Sequence, residues 1–85
     1  MKVLIPSPLR SYTGAAEVDA EGSTLGEVLA DLDRRHPGLR FRIVDEQDRM
    51  RPHVRFFVDG FQVFDLGRRL AVGESVQIVQ ALSGG

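Results

Sequence analysis

Residues 24–36 carry the longest helical pattern of the sequence and limit the fold more than any other segment. Apolar residues recur there at i, i+3, i+4 and i+7, which places them on one helix face, at Leu25, Val28, Leu29 and Leu32. Thr24 and Glu27 have the spacing of a capping box, with Ser23 as a competing cap. Pro37-Gly38 ends the pattern. One helix with a single apolar face can cover one face of one sheet.

Two short strands are predicted before this helix. Residues 3–5 are β-rich and stop at Pro6-Ser7-Pro8, where two prolines remove backbone donors. A loop then closes at Gly14, and residues 15–20 have the alternation of a half-buried strand. Because the two strands are close in the sequence, we expect them to pair as an antiparallel hairpin.

After the helix, the pattern is first ambiguous and then strongly β. Apolar and basic residues alternate over residues 39–43, which fits a short strand or a turn, and residues 45–52 form a polar loop. Asp59-Gly60 separates two apolar runs and is the best hairpin signal of the chain, because such a turn needs positive φ. A last strand is predicted at residues 75–81.

The predicted order, ββαβββ, indicates an α+β fold. One main helix packed on one face of a mixed sheet of four to five strands is the β-grasp, or ubiquitin-like, arrangement. A chain of 85 residues and 9.4 kDa has room for one core. We therefore expect residues 1–81 to form a single β-grasp domain and residues 82–85 to form a flexible tail.

Composition excludes several classes of function. Without cysteine, the chain has no disulfide framework, no thiolate metal site and no thiol nucleophile. Its apolar runs are too short for a membrane span, so we expect a cytoplasmic protein without membrane contact. The net charge of −1 gives no reason to expect nucleic acid binding. The sequence lacks the usual catalytic motifs, and its two histidines, His36 and His53, lie at predicted element ends, so no metal site is expected.

Seven arginines lie between Arg34 and Arg55. Such a cluster fits a patch for an acidic partner, but it also fits a solvated face whose charge is balanced by neighbouring acids, at Asp45, Glu46 and Asp48. The solvated face is the favoured interpretation.

The two glycines at the end of the sequence are the most informative feature for function. Gly84 and Gly85 have no Cβ, so they can extend into a channel that is too narrow for a branched side chain. Residues 80–85 would reach at most about 20 Å from the domain. A carboxylate on such an arm can be delivered into the active site of another enzyme, whereas an inert tail is the alternative.

The sequence resembles the small sulfur-carrier proteins of the MoaD/ThiS family over almost its whole length. The motifs that carry the resemblance are, in order, Leu9-Arg10, Thr13-Gly14, Thr24-Leu25-Gly26-Glu27-Val28-Leu29, His36-Pro37-Gly38-Leu39, Arg51-Pro52-His53-Val54, Phe57-Val58-Asp59-Gly60 and Gly84-Gly85. The resemblance implies a protein cosubstrate rather than an enzyme. It implies that an E1-like adenylating enzyme uses ATP to activate the carboxylate of Gly85, which then becomes a thiocarboxylate. Sulfur would thus be held covalently, with no bound cofactor.

Residues 5–10 with Thr13-Gly14 look most like the actinobacterial carriers that supply sulfide for cysteine synthesis on O-phosphoserine. The partners implied are the adenylating enzyme, a sulfur donor and a cysteine synthase-like enzyme. Gln80 and Ser83 stand where relatives often have proline and alanine, which leaves the downstream partner open. The alternatives are the small subunit of molybdopterin synthase with its large subunit as partner, a ubiquitin-like modifier that joins Gly85 to target lysines, and a β-grasp interaction domain with an inert tail.

A docking patch is expected on the sheet face that points away from the helix. Strand alternation places Phe56 and Phe57 on opposite faces, so one belongs to the core. Alternation and the family resemblance together assign the patch to Leu4, Pro6, Phe57 and Val79, with Leu82 and Ser83 of the tail as further partner contacts. Scattered apolar surface residues are the alternative interpretation of the same pattern.

Overall fold

The computed structural model describes residues 1–81, which form a five-stranded sheet with one long helix on one face. The strands are β1 (Lys2–Leu4), β2 (Glu17–Asp19), β3 (Val54–Val58), β4 (Phe61–Val63) and β5 (Val76–Gln80). Their order in the sheet is β2-β1-β5-β3-β4, with β1 and β5 parallel and every other pair antiparallel. The predicted α+β arrangement, a β-grasp fold, is confirmed.

The long helix, α2 (Leu25–Arg35), begins where the capping box predicts; two shorter helices, α1 (Arg10–Thr13) and α3 (Leu39–Ile43), flank it in the chain. The Glu27 amide donates a hydrogen bond to Thr24 Oγ1 at 3.2 Å, and the Ser23 amide donates to the Glu27 carboxylate at 2.7 Å. Thr24 and not Ser23 is therefore the cap. The four apolar residues of the predicted stripe are fully buried against the sheet.

Thr24→Ala should lower the free energy of unfolding by about 1 kcal/mol, because it removes the acceptor for the Glu27 amide. Urea denaturation followed by circular dichroism measures the change. Ser23→Ala is the matched control, since the Ser23 hydroxyl caps nothing in the described structure, and its effect should be within experimental error. Equal losses in both variants would mean that Ser23 shares the capping role.

Residues 39–43, which the sequence left open between a strand and a turn, form a helix instead. The two end residues of α3 are buried, because a spacing of four places them on one helix face, whereas Phe41 between them is 55% exposed. The Asp33 carboxylate accepts hydrogen bonds from the Gly38 and Arg40 amides at 3.1 and 3.2 Å. This side chain of α2 thus supplies an acceptor for the unpaired donors at the start of α3.

The expected loop between β1 and β2 also contains helical turns. Ser7–Leu9 is a 3-10 turn that leads into α1, which ends at Gly14 with a φ of 72°. Pro8 fits this position, since the first turn of a helix needs no N–H from it. Leu9 is buried in the core and anchors the segment. The prediction of a loop here was wrong except for its closure at Gly14.

The Asp59-Gly60 hairpin forms as predicted. Both residues have positive φ, 47° and 88°, and the turn joins β3 to β4. The Asp59 carboxylate also accepts a hydrogen bond from the Ser75 amide at 2.9 Å, which ties the turn to the segment before β5. The resulting register buries Phe56 completely and leaves Phe57 half-buried on the other face.

The core lies between the sheet and α2 and is entirely apolar within residues 1–81, where no polar or charged residue is fully buried. No helix of this described part combines the length and the apolar character that crossing a bilayer requires.

Candidate functional site

The sheet face opposite α2 carries the predicted docking residues. Val3 and Phe56 point into the core, so their neighbours Leu4 and Phe57 lie on the other face and are half-buried. Backbone pairing places Gln77 of β5 beside Leu4 on one side and beside Phe57 on the other. The outer face therefore has a polar side chain at its centre with an apolar side chain on each flank.

Three of the four predicted docking residues come together. Leu4, Pro6 and Val79 line one shallow depression of about 400 Å³, and Val79 is 36% exposed. Phe57 lies on the same face but across Gln77 and does not line this depression. The described structure thus places a split apolar surface where the sequence pattern indicated one patch.

Two polar residues of this surface, Gln77 and Arg10, were missed by the sequence reasoning. Both line the depression. The Arg10 Nε donates a hydrogen bond to the Ile5 carbonyl oxygen at 3.0 Å, which fixes a cation at the rim. The available signal for Arg10 was its place in the Leu9-Arg10 motif, which carries part of the family resemblance. A fixed guanidinium beside apolar side chains suits a protein interface.

The predicted reactive glycines, Gly84 and Gly85, and the tail contacts Leu82 and Ser83 lie outside the described residues, as does the proposed tail of residues 82–85. The described part ends at Ala81, whose amide donates to the His53 carbonyl oxygen at 2.8 Å. Because β5 lies between β1 and β3, the chain leaves the domain from the middle of the sheet.

Residues 1–81 carry several surface depressions. Within residues 1–81, no three His, Cys, Asp or Glu side chains are grouped so that they could hold a metal ion. His36 ends α2, whereas His53 precedes β3. A larger depression of about 590 Å³ has side chains of both charges; its lining includes Asp48, Arg49, Arg55, Phe64 and Asp65.

The arginine-rich segment is only partly balanced by acids. Asp31 pairs with both Arg34 and Arg35, and the Glu21 amide, followed by these guanidiniums, holds the pKa of Asp31 below its usual value. Two further pairs are formed by Arg40 with Asp48 and by Arg49 with Asp45. The Arg49 amide is the main cause that lowers the pKa of Asp45. The predicted balance by Asp45 and Asp48 is thus present for two arginines, and Asp31 pairs with two more, so four of the seven have a carboxylate partner within residues 1–81.

Comparison with known proteins gives a consistent result over the whole chain. The ThiS family matches residues 3–85. The sulfur carrier protein CysO of Mycobacterium tuberculosis is 36% identical over 89 residues, covering 98% of this chain and 96% of that protein. A chain in the crystal structure of the Amycolatopsis orientalis BexX/CysO complex is 31% identical, with a TM-score of 0.90 over 99% of this chain and 98% of that chain. SAMP1 of Haloferax volcanii is 26% identical, with a TM-score of 0.81 over 100% and 98%.

Proposed function

The chain belongs to the ThiS family and is a sulfur carrier rather than an enzyme, and we propose that Gly85 bears the sulfur as a terminal thiocarboxylate. The observation that carries the proposal is the similarity to sulfur carrier proteins along nearly the entire chain. The family match extends to residue 85 and so includes the glycine pair. The absence of cysteine agrees with it, because a terminal thiocarboxylate needs no side-chain thiol.

Formation of the thiocarboxylate takes two nucleophilic displacements, the first at phosphorus and the second at carbon. The Gly85 carboxylate first attacks the α-phosphorus of ATP and displaces pyrophosphate, which gives an acyl adenylate. A sulfur nucleophile of the hydrosulfide class then attacks the carbonyl carbon. The bond between this carbon and the AMP oxygen breaks, AMP leaves, and a proton is released, which gives the thiocarboxylate. The partners we propose for these steps are an E1-like adenylating enzyme and a sulfur donor.

Cysteine formation is the proposed destination of the sulfur. The similarity to CysO proteins, including a chain of the BexX/CysO complex, supports this branch and a cysteine synthase-like partner over molybdopterin synthesis. The thiocarboxylate sulfur would add to an aminoacrylate-type intermediate on that enzyme. We propose that the split surface of Leu4, Pro6, Val79 and Phe57 docks on such partners, because it lies beside the strand that leads to the tail.

A protein modifier is the second candidate, favoured by the structural similarity to SAMP1, which is also described as small archaeal modifier protein 1. Carrier and modifier share the activated Gly85 and differ in the nucleophile that receives the acyl group. The chain has one lysine, Lys2, which lies in β1 and pairs with Glu17 at 3.7 Å. A polymer in which Gly85 of one copy is joined to a lysine of the next would have to use Lys2 at every link.

Intact-mass analysis of the protein recovered from cells distinguishes these candidates. A carrier should be recovered with a free, thiolated or cysteinylated terminus, because sulfur resolves the activated acyl group. Thiolation adds about 16 Da, the difference between sulfur and oxygen. A matched sample from cells that express the Gly85-deleted chain provides the control. Abundant conjugates with a Gly84-Gly85 remnant on target lysines would contradict the carrier function and support the modifier.

A further inference from the structure

Three arginines of the basic segment remain without a carboxylate partner in residues 1–81: Arg42, Arg51 and Arg55. Arg42 and Arg51 come together in one cavity of about 430 Å³, together with Phe41, His53 and Gln80. We call this cavity the neck pocket, because Gln80 is the last residue of β5. Four of the other five arginines of the segment are paired with carboxylates, so, within the described residues, two of its three unpaired cations lie at this cavity.

Arg51 is held in a fixed geometry. Its Nε donates a hydrogen bond to the Phe41 carbonyl oxygen at 2.8 Å. Its guanidinium carbon lies 4.7 Å from the centre of the Phe41 ring, which is a cation–π contact. No acceptor for its terminal nitrogens is present in the described part of the chain, so these donors can serve a partner. A cation that is already ordered loses little entropy when it binds an anion.

The neck pocket lies where the chain leaves the domain. The amide of Ala81 is bonded to the backbone of His53, a lining residue of the pocket. Four residues follow Ala81 in the sequence, and at full extension they span at most about 14 Å. An enzyme that holds the Gly85 carboxylate in its active site must therefore place part of its own surface close to this pocket.

We propose that the neck pocket docks on carboxylate side chains around the entrance of the tail-binding channel of the enzyme that activates Gly85. This inference rests on the proposed function. Guanidinium groups bind carboxylates in a planar, two-pronged geometry, so Arg42 and Arg51 suit an acidic protein surface. The exposed Phe41 ring adds apolar area, and the combination of arginine and aromatic residues is typical of protein interfaces.

Arg42→Glu tests this docking surface. The probe is the cognate adenylating enzyme without ATP, titrated calorimetrically with each variant. At about 50 mM NaCl the dissociation constant should rise about 10-fold or more, and at about 500 mM NaCl the increase should fall below about 3-fold, because salt screens the charges. Arg42→Lys keeps the charge but loses the two-pronged geometry, so its dissociation constant should lie between those of the parent chain and of Arg42→Glu.

Arg69→Glu is the matched control, since Arg69 is also exposed, has no carboxylate partner in residues 1–81, and pairs through its backbone with Thr24 at the start of α2. It should change the dissociation constant by less than about 2-fold. The inference would be overturned if Arg42→Glu and Arg69→Glu raised the dissociation constant equally. It would also be overturned if salt did not reduce the effect of Arg42→Glu on the dissociation constant.

The docking surface and the chemistry of Gly85 are tested separately. Binding without ATP requires no sulfur transfer, so the parent chain and Arg42→Glu are also compared in a background that lacks Gly85. Arg42-dependent binding by a chain that retains Gly85 but gains no sulfur from ATP and sulfide would support the neck pocket and contradict the thiocarboxylate proposal. If the chain gains sulfur and Arg42→Glu does not change its affinity, only the neck-pocket proposal is contradicted.

Discussion

Deletion of Gly85 should abolish sulfur loading completely. Incubated with its adenylating enzyme, ATP and sulfide, the full chain should gain about 16 Da, whereas the shortened chain should keep its starting mass. The shortened chain still ends in a glycine carboxylate, that of Gly84, but this carboxylate is about 3.5 Å closer to the domain. A displacement of that size takes the reacting atom out of attack distance of the ATP phosphate.

Two matched variants show whether length or tail chemistry is responsible. Ser83→Ala keeps the length and both glycines, and it should still load, because relatives in the family often have alanine at this contact position. Gly85→Ala keeps the length and the carboxylate but adds a methyl group, which should slow loading if the channel is narrow. Electrospray mass spectrometry of the intact proteins measures all four chains. A mass gain that persists without Gly85 would show that sulfur is carried by another group.

The parts of the fold that could be predicted from the sequence are those fixed by local chemistry. A capping box needs a hydroxyl and a carboxylate three residues apart, and Thr24 and Glu27 supply them. The Asp59-Gly60 turn needs two residues that tolerate positive φ. Both signals depend on a few neighbouring residues, so tertiary packing had little opportunity to override them.

Where the sequence reasoning failed, tertiary packing decided between two local structures. Apolar residues at positions 39, 41 and 43 fit a strand, but a helix buries the first and last of them and frees Phe41. The choice depends on Asp33 of α2, which bonds the first amides of α3. A run of five residues is too short for its periodicity to reveal this.

The candidate site shows the same division. Alternation alone placed Leu4 and Phe57 on one face, but only the backbone register reveals that Gln77 separates them. The number of arginines was evident from the sequence, whereas their pairing with Asp31, Asp45 and Asp48 depends on distances in the folded chain. Which arginines remain unpaired at the neck pocket is therefore known only from the structure.

Phe56→Asp should unfold the domain, whereas Phe57→Asp should leave it folded and unable to dock. The Phe56 side chain is 0% exposed between the sheet and α2, so a carboxylate there has neither water nor a described basic partner. Loss of a buried phenylalanine lowers the free energy of unfolding by about 3–5 kcal/mol, and the buried charge lowers it further. A domain of this size is only modestly stable, so a loss of this size should unfold it. Thermal melts followed by circular dichroism should show no cooperative transition for this variant.

Phe57 lies on the same strand, one residue further, and is already half-exposed between Gln62 and Gln77. An aspartate there meets water in the free protein, so the loss of stability should stay near about 1 kcal/mol, the span of strand preferences. Against an apolar partner surface the same charge must lose its water, and affinity should fall by a factor of about 30 or more, as for other aromatic interface residues. Calorimetric titration with the adenylating or the sulfur-accepting enzyme measures this loss, and Phe57→Leu should retain most of the binding. A folded Phe57→Asp chain that binds both enzymes like the parent would show that docking uses another face, because the register already excludes the alternative that Phe57 belongs to the core.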